Sequence, residues 1–257
     1  MYLPSFNLSD KVAVITGAGR GIGKSLAIGF AEAGADVVLL SRTEKDLQEV
    51  ASTITEIGRK ALPVVTDVTK PADIHSAIER IKQEKIKVDI LVNNAGMNIR
   101  SQALDVTEDE WDKIMDTNLK SAFFMSREIG ALMKEQGDGG RIINISSVAG
   151  KMALRTGVAY GATKAAMIQM TKILAFEWGK YNINVNSIGP WYFETLLTKE
   201  LLSDEEYVKD ILAVTPLKRI GQLPELVGPA VFLASEASSY ISGQTLFVDG
   251  GMTINGF

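Results

Sequence analysis

Apolar and polar residues fall along this chain in blocks. Seven short runs are apolar at nearly every position: "KVAVITG", "DVVLLS", "ALPVV", "VDILVNNAG", "GRIINISS", "INVNSIG" and "TLFVDGG". Runs of this length, bounded by glycine or polar turns, predict strands. Their lack of polar alternation predicts burial on both faces, as in a parallel sheet. Between them the apolar residues recur at helical spacing. "GIGKSLAIGFAEAGA" predicts a helix stopped by Gly34, and "TEKDLQEVASTITEIG" one capped by Thr43 and stopped by Gly58. "KPADIHSAIERIKQE" predicts a third. "TEDEWDKIMDTNLKSAFFMSREIGALMKEQ" predicts one long helix, with Thr107 and Glu110 placed to form a capping box. "AYGATKAAMIQMTKILAFEWGKY" and a segment around 223–235 predict two more.

Strands and helices thus alternate from end to end, with no Pro/Ser-rich linker and no fixed-period repeat. This predicts a single α/β domain over residues 1–257. The expected fold is doubly wound and Rossmann-type, with a seven-stranded parallel sheet and helices on both faces. Ligands of such sheets bind beyond the carboxyl ends of the strands. The chemistry is therefore expected just after Ile15, Leu40, Val65, Val92, Ile145 and Val185.

Composition narrows the function classes. The net charge is −4, from 27 basic and 31 acidic residues, and no cluster of Lys and Arg stands out, which argues against a nucleic-acid partner. The absence of cysteine excludes disulfides and thiolate metal sites, and the single histidine, His75, sits within a helical pattern without metal-ligating companions. No apolar stretch is long enough for a membrane span, and the start of the chain does not read as a signal peptide. The expected location is the cytoplasm, with no membrane partner.

"TGAGRGIG" follows the first predicted strand and opens the first predicted helix. Glycines there let the backbone approach a phosphate, and the helix start offers free amides to it. The spacing is Gly17, Gly21, Gly23, which matches neither G-x-G-x-x-G nor a Walker loop; Arg20 and Ile22 complete the turn. The second strand ends in Ser41 and Arg42, not in the acidic residue that a ribose hydroxyl calls for. A guanidinium suits a 2′-phosphate, so NADP(H) is favoured, with NAD(H) as the alternative.

"SSVAGKMALRTGVAYGATK" carries a second group of candidates. Ser147 ends a strand, and Tyr160 lies in the first turn of the next helix. Lys164, four residues on, shares its face. A phenol titrates near pH 10 unless a neighbouring cation lowers it. So tuned, it can exchange a proton with a carbonyl or alcohol oxygen held by the serine hydroxyl. The competing readings are a chance Tyr–Lys pair and polar residues at a strand end.

Together these motifs resemble the classical branch of the short-chain dehydrogenase/reductase family over nearly the whole chain. They are "TGAGRGIG", "NNAG", "YGATK" with Ser147 upstream, "GPWYFET" and "VDGG". The resemblance implies Tyr160 as acid/base, Lys164 as its electrostatic partner and a ligand of the nicotinamide ribose, and Ser147 as the group orienting the substrate oxygen. It implies that Asn118 kinks a helix and holds a relay water. Asp67 and Val68 would border the adenine, and Asn94, Ala95 and Gly96 would line the cofactor cleft. Thr195 would reach the cofactor's carboxamide or phosphates, and Pro190 would also contact the cofactor. Trp191 departs from the pattern, where a glycine is usual, so its loop is expected either to be displaced or to wall the pocket. The resemblance further implies a homotetramer, partly through the long helices beginning near Thr107 and Tyr160.

The pocket segments are similar to those of gluconate 5-dehydrogenase-like members, which carry an asparagine and an arginine after "NNAG"; here these are Asn98 and Arg100. Arg155, between Ser147 and Tyr160, is a candidate carboxylate ligand or else a surface charge, and Trp191 is a candidate to stack on a sugar. The implied activity is an NADP(H)-dependent oxidoreductase of a small-molecule sugar acid or polyol. The alternatives are a 3-oxoacyl-carrier-protein reductase and, further off, a non-catalytic cofactor-binding regulator. Residues 190–215 are expected to form a substrate lid.

Overall fold

Apolar runs of four to eight residues become strands, and all seven join one parallel sheet. In the computed structural model, which describes residues 2–196 and 198–254, the strands are β1 Val12–Thr16, β2 Asp36–Ser41, β3 Ala61–Val65, β4 Ile90–Asn93, β5 Gly140–Ile145, β6 Ile183–Pro190 and β7 Thr245–Val248. Their order across the sheet is β3-β2-β1-β4-β5-β6-β7. The chain runs outward from β1 to β3, returns to β4 on the other side of β1, and then runs outward again. The switch point lies between β1 and β4, where Ile15 is in register with Val92. This is the Rossmann-type arrangement that the sequence predicts.

The uniformly apolar strands divide by side. Ala13, Ile15, Val37, Leu39, Ile90, Val92, Ile143 and Ile145 face one helical layer; Val14, Val38, Leu40, Leu91 and Ile142 face the other. Helices α1 Gly21–Glu32, α2 Glu44–Glu56 and α8 Pro224–Ala234 cover the first face through Leu26, Phe30, Leu47, Ile54, Leu226 and Leu233. Helices α3 Pro71–Gln83, α5 Ser121–Gln136 and α6 Val158–Trp178 cover the second through Ile74, Ile78, Ile81, Met125, Ile129, Met133 and Leu174. Burying apolar area on both faces is what makes a period-two polar pattern unnecessary. Pro63, which lacks a backbone donor, is accommodated because β3 is an edge strand.

Two local expectations change. Thr43 precedes α2 but makes no side-chain cap bond. The predicted long helix from Thr107 is divided into α4 Glu108–Met115, a π-helical turn over Asp116–Lys120, and α5. Its start is as expected: the Glu110 amide donates to Thr107 Oγ1 at 3.2 Å, and the Thr107 amide donates to the Glu110 carboxylate at 3.4 Å. The remaining helix, α7 Glu205–Val214, lies in the segment after β6, preceded by a 3₁₀ turn at Leu201–Ser203. Among the described residues, no helix is long and apolar enough to cross a membrane.

Candidate active site

The carboxyl end of β1 is fastened to the end of β4 by a small set of bonds. The amides of Asn94 and Ala95 both donate to Thr16 Oγ1 at 3.0 Å, and the Asn94 side chain donates to the carbonyls of Thr16 at 3.0 Å and Gly17 at 3.2 Å. The glycine turn is thus locked onto "NNAG". Gly17 and Gly21 take φ of +64° and +55°, a region that disfavours a Cβ. Gly23 has an ordinary backbone, but a Cβ there would come within 2.2 Å of the Gly17 carbonyl oxygen and 2.4 Å of Asn94 Nδ2. Its role is packing beneath the turn; it does not line the cavity.

A continuous cavity of about 370 Å³ opens above this clamp. Gly17, Arg20, Gly21, Ile22, Ser41, Arg42, Asp67 and Val68 line one end of it. Asn94, Ala95, Gly96, Ser147, Tyr160, Lys164, Pro190, Trp191 and Thr195 also line it. The residues picked from the sequence therefore meet at the predicted sheet edge, with three exceptions. Gly23 and Asn118 lie behind the wall. Arg155 does not enter the cavity at all: its exposed guanidinium reaches Asp210 at 2.7 Å. The reading of Arg155 as a carboxylate ligand in the pocket is corrected accordingly. The surface-charge alternative describes its position, because the loop turns its side chain outward while its neighbours Leu154 and Thr156 face in.

The turn fits a dinucleotide. Helix α1 begins without a side-chain cap, so its first amides are free to meet anionic oxygens. Ser41 Oγ, on the cavity wall, is buried without a hydrogen-bond partner. Asp67 is held below the usual carboxylate range: burial works against its charge, but the Thr69 hydroxyl and amide, followed by the Arg42 charge, outweigh it.

At the other end, the π turn bends the helical run and buries Asn118 completely. Its carboxamide is fully engaged. It accepts from the Met97 amide at 2.8 Å, and it donates to the Met97 carbonyl at 2.9 Å and to Thr163 Oγ1 at 3.3 Å. Asn118 therefore ties α6, through Thr163, to the loop after β4. A Cβ added at Gly96 would lie 3.4 Å from Asn118 Oδ1 and 3.8 Å from Lys164 Nζ, which shows how closely these groups converge.

The electrostatics depart from expectation. Burial pushes the Tyr160 hydroxyl above its ordinary value. The groups that pull it back are a hydrogen bond with Ser147 and the charge of Arg100. Lys164 is not among them: its ammonium donates to the Ile145 carbonyl at 2.8 Å and lies 5.5 Å from the centre of the Tyr160 ring. Burial pushes Lys164 itself down to about 8. Arg100 lines the cavity and also opposes the upward shift that burial and the Tyr207 hydroxyl impose on Tyr192.

Arg100 was legible only through family resemblance, and Asp46, another lining residue beside Ser41, was missed. It occupies the first turn of α2, where an acidic residue reads as a helix-dipole partner. Trp191 is the other departure from the family pattern. Its amide donates to the Val248 carbonyl at 3.2 Å, so the chain continues alongside β7 past Pro190. Its ring packs edge-on to Tyr192, with centroids 4.5 Å apart, and forms cavity wall.

Residues 17–253 match the pattern of a family described as enoyl-(acyl carrier protein) reductase. A 2-dehydro-3-deoxy-D-gluconate 5-dehydrogenase from Dickeya dadantii (strain 3937) is 43% identical over 254 residues, 98% of each chain. The chain belongs to the short-chain dehydrogenase/reductase family, oxidoreductases of CH–OH groups. An NAD-dependent glycerol dehydrogenase from Listeria innocua serovar 6a is 45% identical, covering 97% of this chain and 96% of that one. A solved gluconate 5-dehydrogenase from Burkholderia cenocepacia J2315, in complex with NADP and tartrate, superposes with a TM-score of 0.94 at 40% identity, covering 99% of each chain. In this short-chain dehydrogenase/reductase, the Ser–Tyr–Lys group and the glycine turn line the same cavity.

The depressed Lys164 has a consequence for stability. Its folded value of about 8 lies below the 10.5 of a free lysine, so the unfolded chain binds more protons between those values, and stability rises with pH across that window. Below pH 8 the buried ammonium costs on the order of 3 kcal/mol. Lys164→Met is expected to raise the unfolding free energy at pH 7 in nucleotide-free protein, with the gain shrinking as pH rises from about 8 towards 10.5. Urea unfolding of both proteins across pH checks this; a gain independent of pH would remove the charge as its cause.

Proposed function

We propose that this protein is an NADP(H)-dependent dehydrogenase of a sugar acid or related hydroxy acid, passing hydride between the nicotinamide and a carbonyl/secondary alcohol. The observation that carries the reading is the wall shared by Ser147, Tyr160 and Arg100. The Tyr160 hydroxyl lies there in the field of the Arg100 charge, and both residues line the cavity. The cofactor supplies the hydride chemistry. Ser147 holds the reacting oxygen, and Tyr160 gives or takes its proton. Lys164, anchored on the Ile145 carbonyl, offers its remaining protons to the ribose hydroxyls and keeps a positive charge under the site. Asn118 and the π turn hold α6 at the depth this requires.

Arg100 gives the substrate its charge. Placed near both Tyr160 and Tyr192, it can pair with a carboxylate while the carbon to be oxidised faces Tyr160. The sugar-acid relatives, and the NADP and tartrate in the Burkholderia protein's complex, support this assignment. Arg20, Ser41 and Arg42 support NADP(H). Asp46 on the same wall leaves a carboxylate for a ribose hydroxyl, and the Listeria relative is NAD-dependent, so NAD(H) is the second cofactor. Phe123, Ile173 and Phe176, exposed on α5 and α6, support a homotetramer assembled through these helices.

The activity test is absorbance at 340 nm with both cofactors against sugar acids, neutral polyols, simple diketones and an acetoacetyl thioester. Turnover confined to the thioester would replace the proposal with a carrier-protein reductase. Tyr160→Phe is expected to lower kcat by about 10²–10⁴-fold while leaving NADPH binding unchanged; a fully active variant would unseat Tyr160. Arg100→Ala is expected to raise KM by about tenfold or more for carboxylated substrates and to spare neutral ones. Equal effects on both classes would end its role as carboxylate ligand. Arg42→Asp is expected to shift the kcat/KM ratio towards NADH, by adding a carboxylate and removing a cation at the 2′ position; an unchanged ratio would place the discrimination elsewhere.

A further inference from the structure

Several contacts that reach α7 come from residues on or beside the cavity wall. Trp191 Nε1 donates at 3.0 Å to Thr215 Oγ1, on the buried residue that follows α7. The hydroxyl of Tyr192 is hydrogen-bonded to that of Tyr207, in the first turn of α7. Arg155 reaches Asp210 at 2.7 Å, near the middle of α7, and its guanidinium also sits 5.2 Å from the centre of the Tyr207 ring. These contacts fall at the start, the middle and just past the end of the helix, and Lys218 Nζ adds bonds to the carbonyls of Leu212 at 3.1 Å and Ala213 at 3.0 Å.

Its apolar anchoring in the core is slight. Ile211 is the buried residue of α7, and among the described residues its extensive packing against a neighbouring element is with the 3₁₀ turn at Leu201–Ser203. A helix held mainly by side-chain contacts opens more readily than one embedded in a core.

We propose that Arg155 and Trp191 are positioning residues that act on substrate through α7, tethering this helix as a lid near its middle and at its end. The arrangement couples the tethers to the cavity contents. Leu154 and Thr156 face into the cavity on either side of the outward-turned Arg155, and Trp191 and Tyr192 are themselves wall. A molecule bound there presses on the same short segments whose side chains grip α7, so binding and lid closure favour each other. Arg155 therefore influences every substrate alike, charged or neutral, in contrast to Arg100. An exposed ion pair is individually weak, so closure depends on these contacts acting together.

The test combines hydrogen exchange with kinetics. Arg155→Ala and Asp210→Ala are each expected to speed amide exchange across 205–215 by about three- to tenfold in the free protein, leaving the sheet unchanged. Trp191→Phe, which keeps a ring but loses the donor, should do the same towards Thr215. Both alanine variants should raise KM by similar factors for carboxylated and neutral substrates, with kcat held or increased as product leaves faster. The exchanged pair R155D/D210R should restore both readouts. Unchanged exchange in Arg155→Ala, or no recovery in the exchanged pair, would overturn the tether. So would a KM effect of Arg155→Ala on carboxylated substrates that Asp210→Ala does not reproduce. Exchange needs no substrate, so this outcome is separable from failure of the sugar-acid reading on which the kinetic arm rests.

Discussion

The clamp between Thr16 and Asn94 is the interaction on which the site depends. Two amides share one threonine oxygen, and one carboxamide grips two carbonyls, at the point where β1 and β4 diverge to opposite winding directions. A parallel sheet supplies a groove at such a switch point, but the groove has no fixed floor until the strand ends are joined. Here the join is made of part-buried polar groups that bond one another directly, the kind of network that rigidifies a structure. Gly23 is needed because a side chain there would push the two halves apart.

A second buried network extends this under α6. Asn93 donates to Ser126 and Asn144 at 2.8 Å, and Asn144 donates to Thr171 at 2.9 Å. These bonds tie β4 to α5 and β5 to α6. The side chain of Ser146 adds a bond to the Lys164 carbonyl at 3.0 Å. The position of Tyr160 and Lys164 is thus set by polar contacts along α6, not only by apolar packing of its sheet-facing side.

The sequence carried the fold well because block patterning and glycine stops are local signals: each strand, and the ends of α1 and α2, could be placed from neighbours in the chain. It carried the Ser147–Tyr160–Lys164 group because i,i+4 spacing survives folding as a shared helix face. It did not carry the direction in which Lys164 points. That depends on the Ile145 carbonyl, which the sheet brings within reach from 19 residues away. The π turn was hidden from the helical pattern for a similar reason, and only the family resemblance implied a kink there: Asn118 is drawn inward by the Met97 backbone 21 residues before it. Arg155 misled because a loop's inward or outward alternation is set by what packs against it, and its partner Asp210 is 55 residues distant. Thr43 has the right side chain for a cap, yet the turn before α2 does not bring it to the helix amides.

Pro63 bears on more than the geometry of β3. An outermost strand with all its donors intact is a template on which another extended chain can add. The proline withholds one of those donors on the β3 flank, whereas β7, at the far flank, contains no proline and exposes Leu246. The sheet is therefore directional in how it can meet other molecules: blunted against strand addition on one flank and apolar on the other.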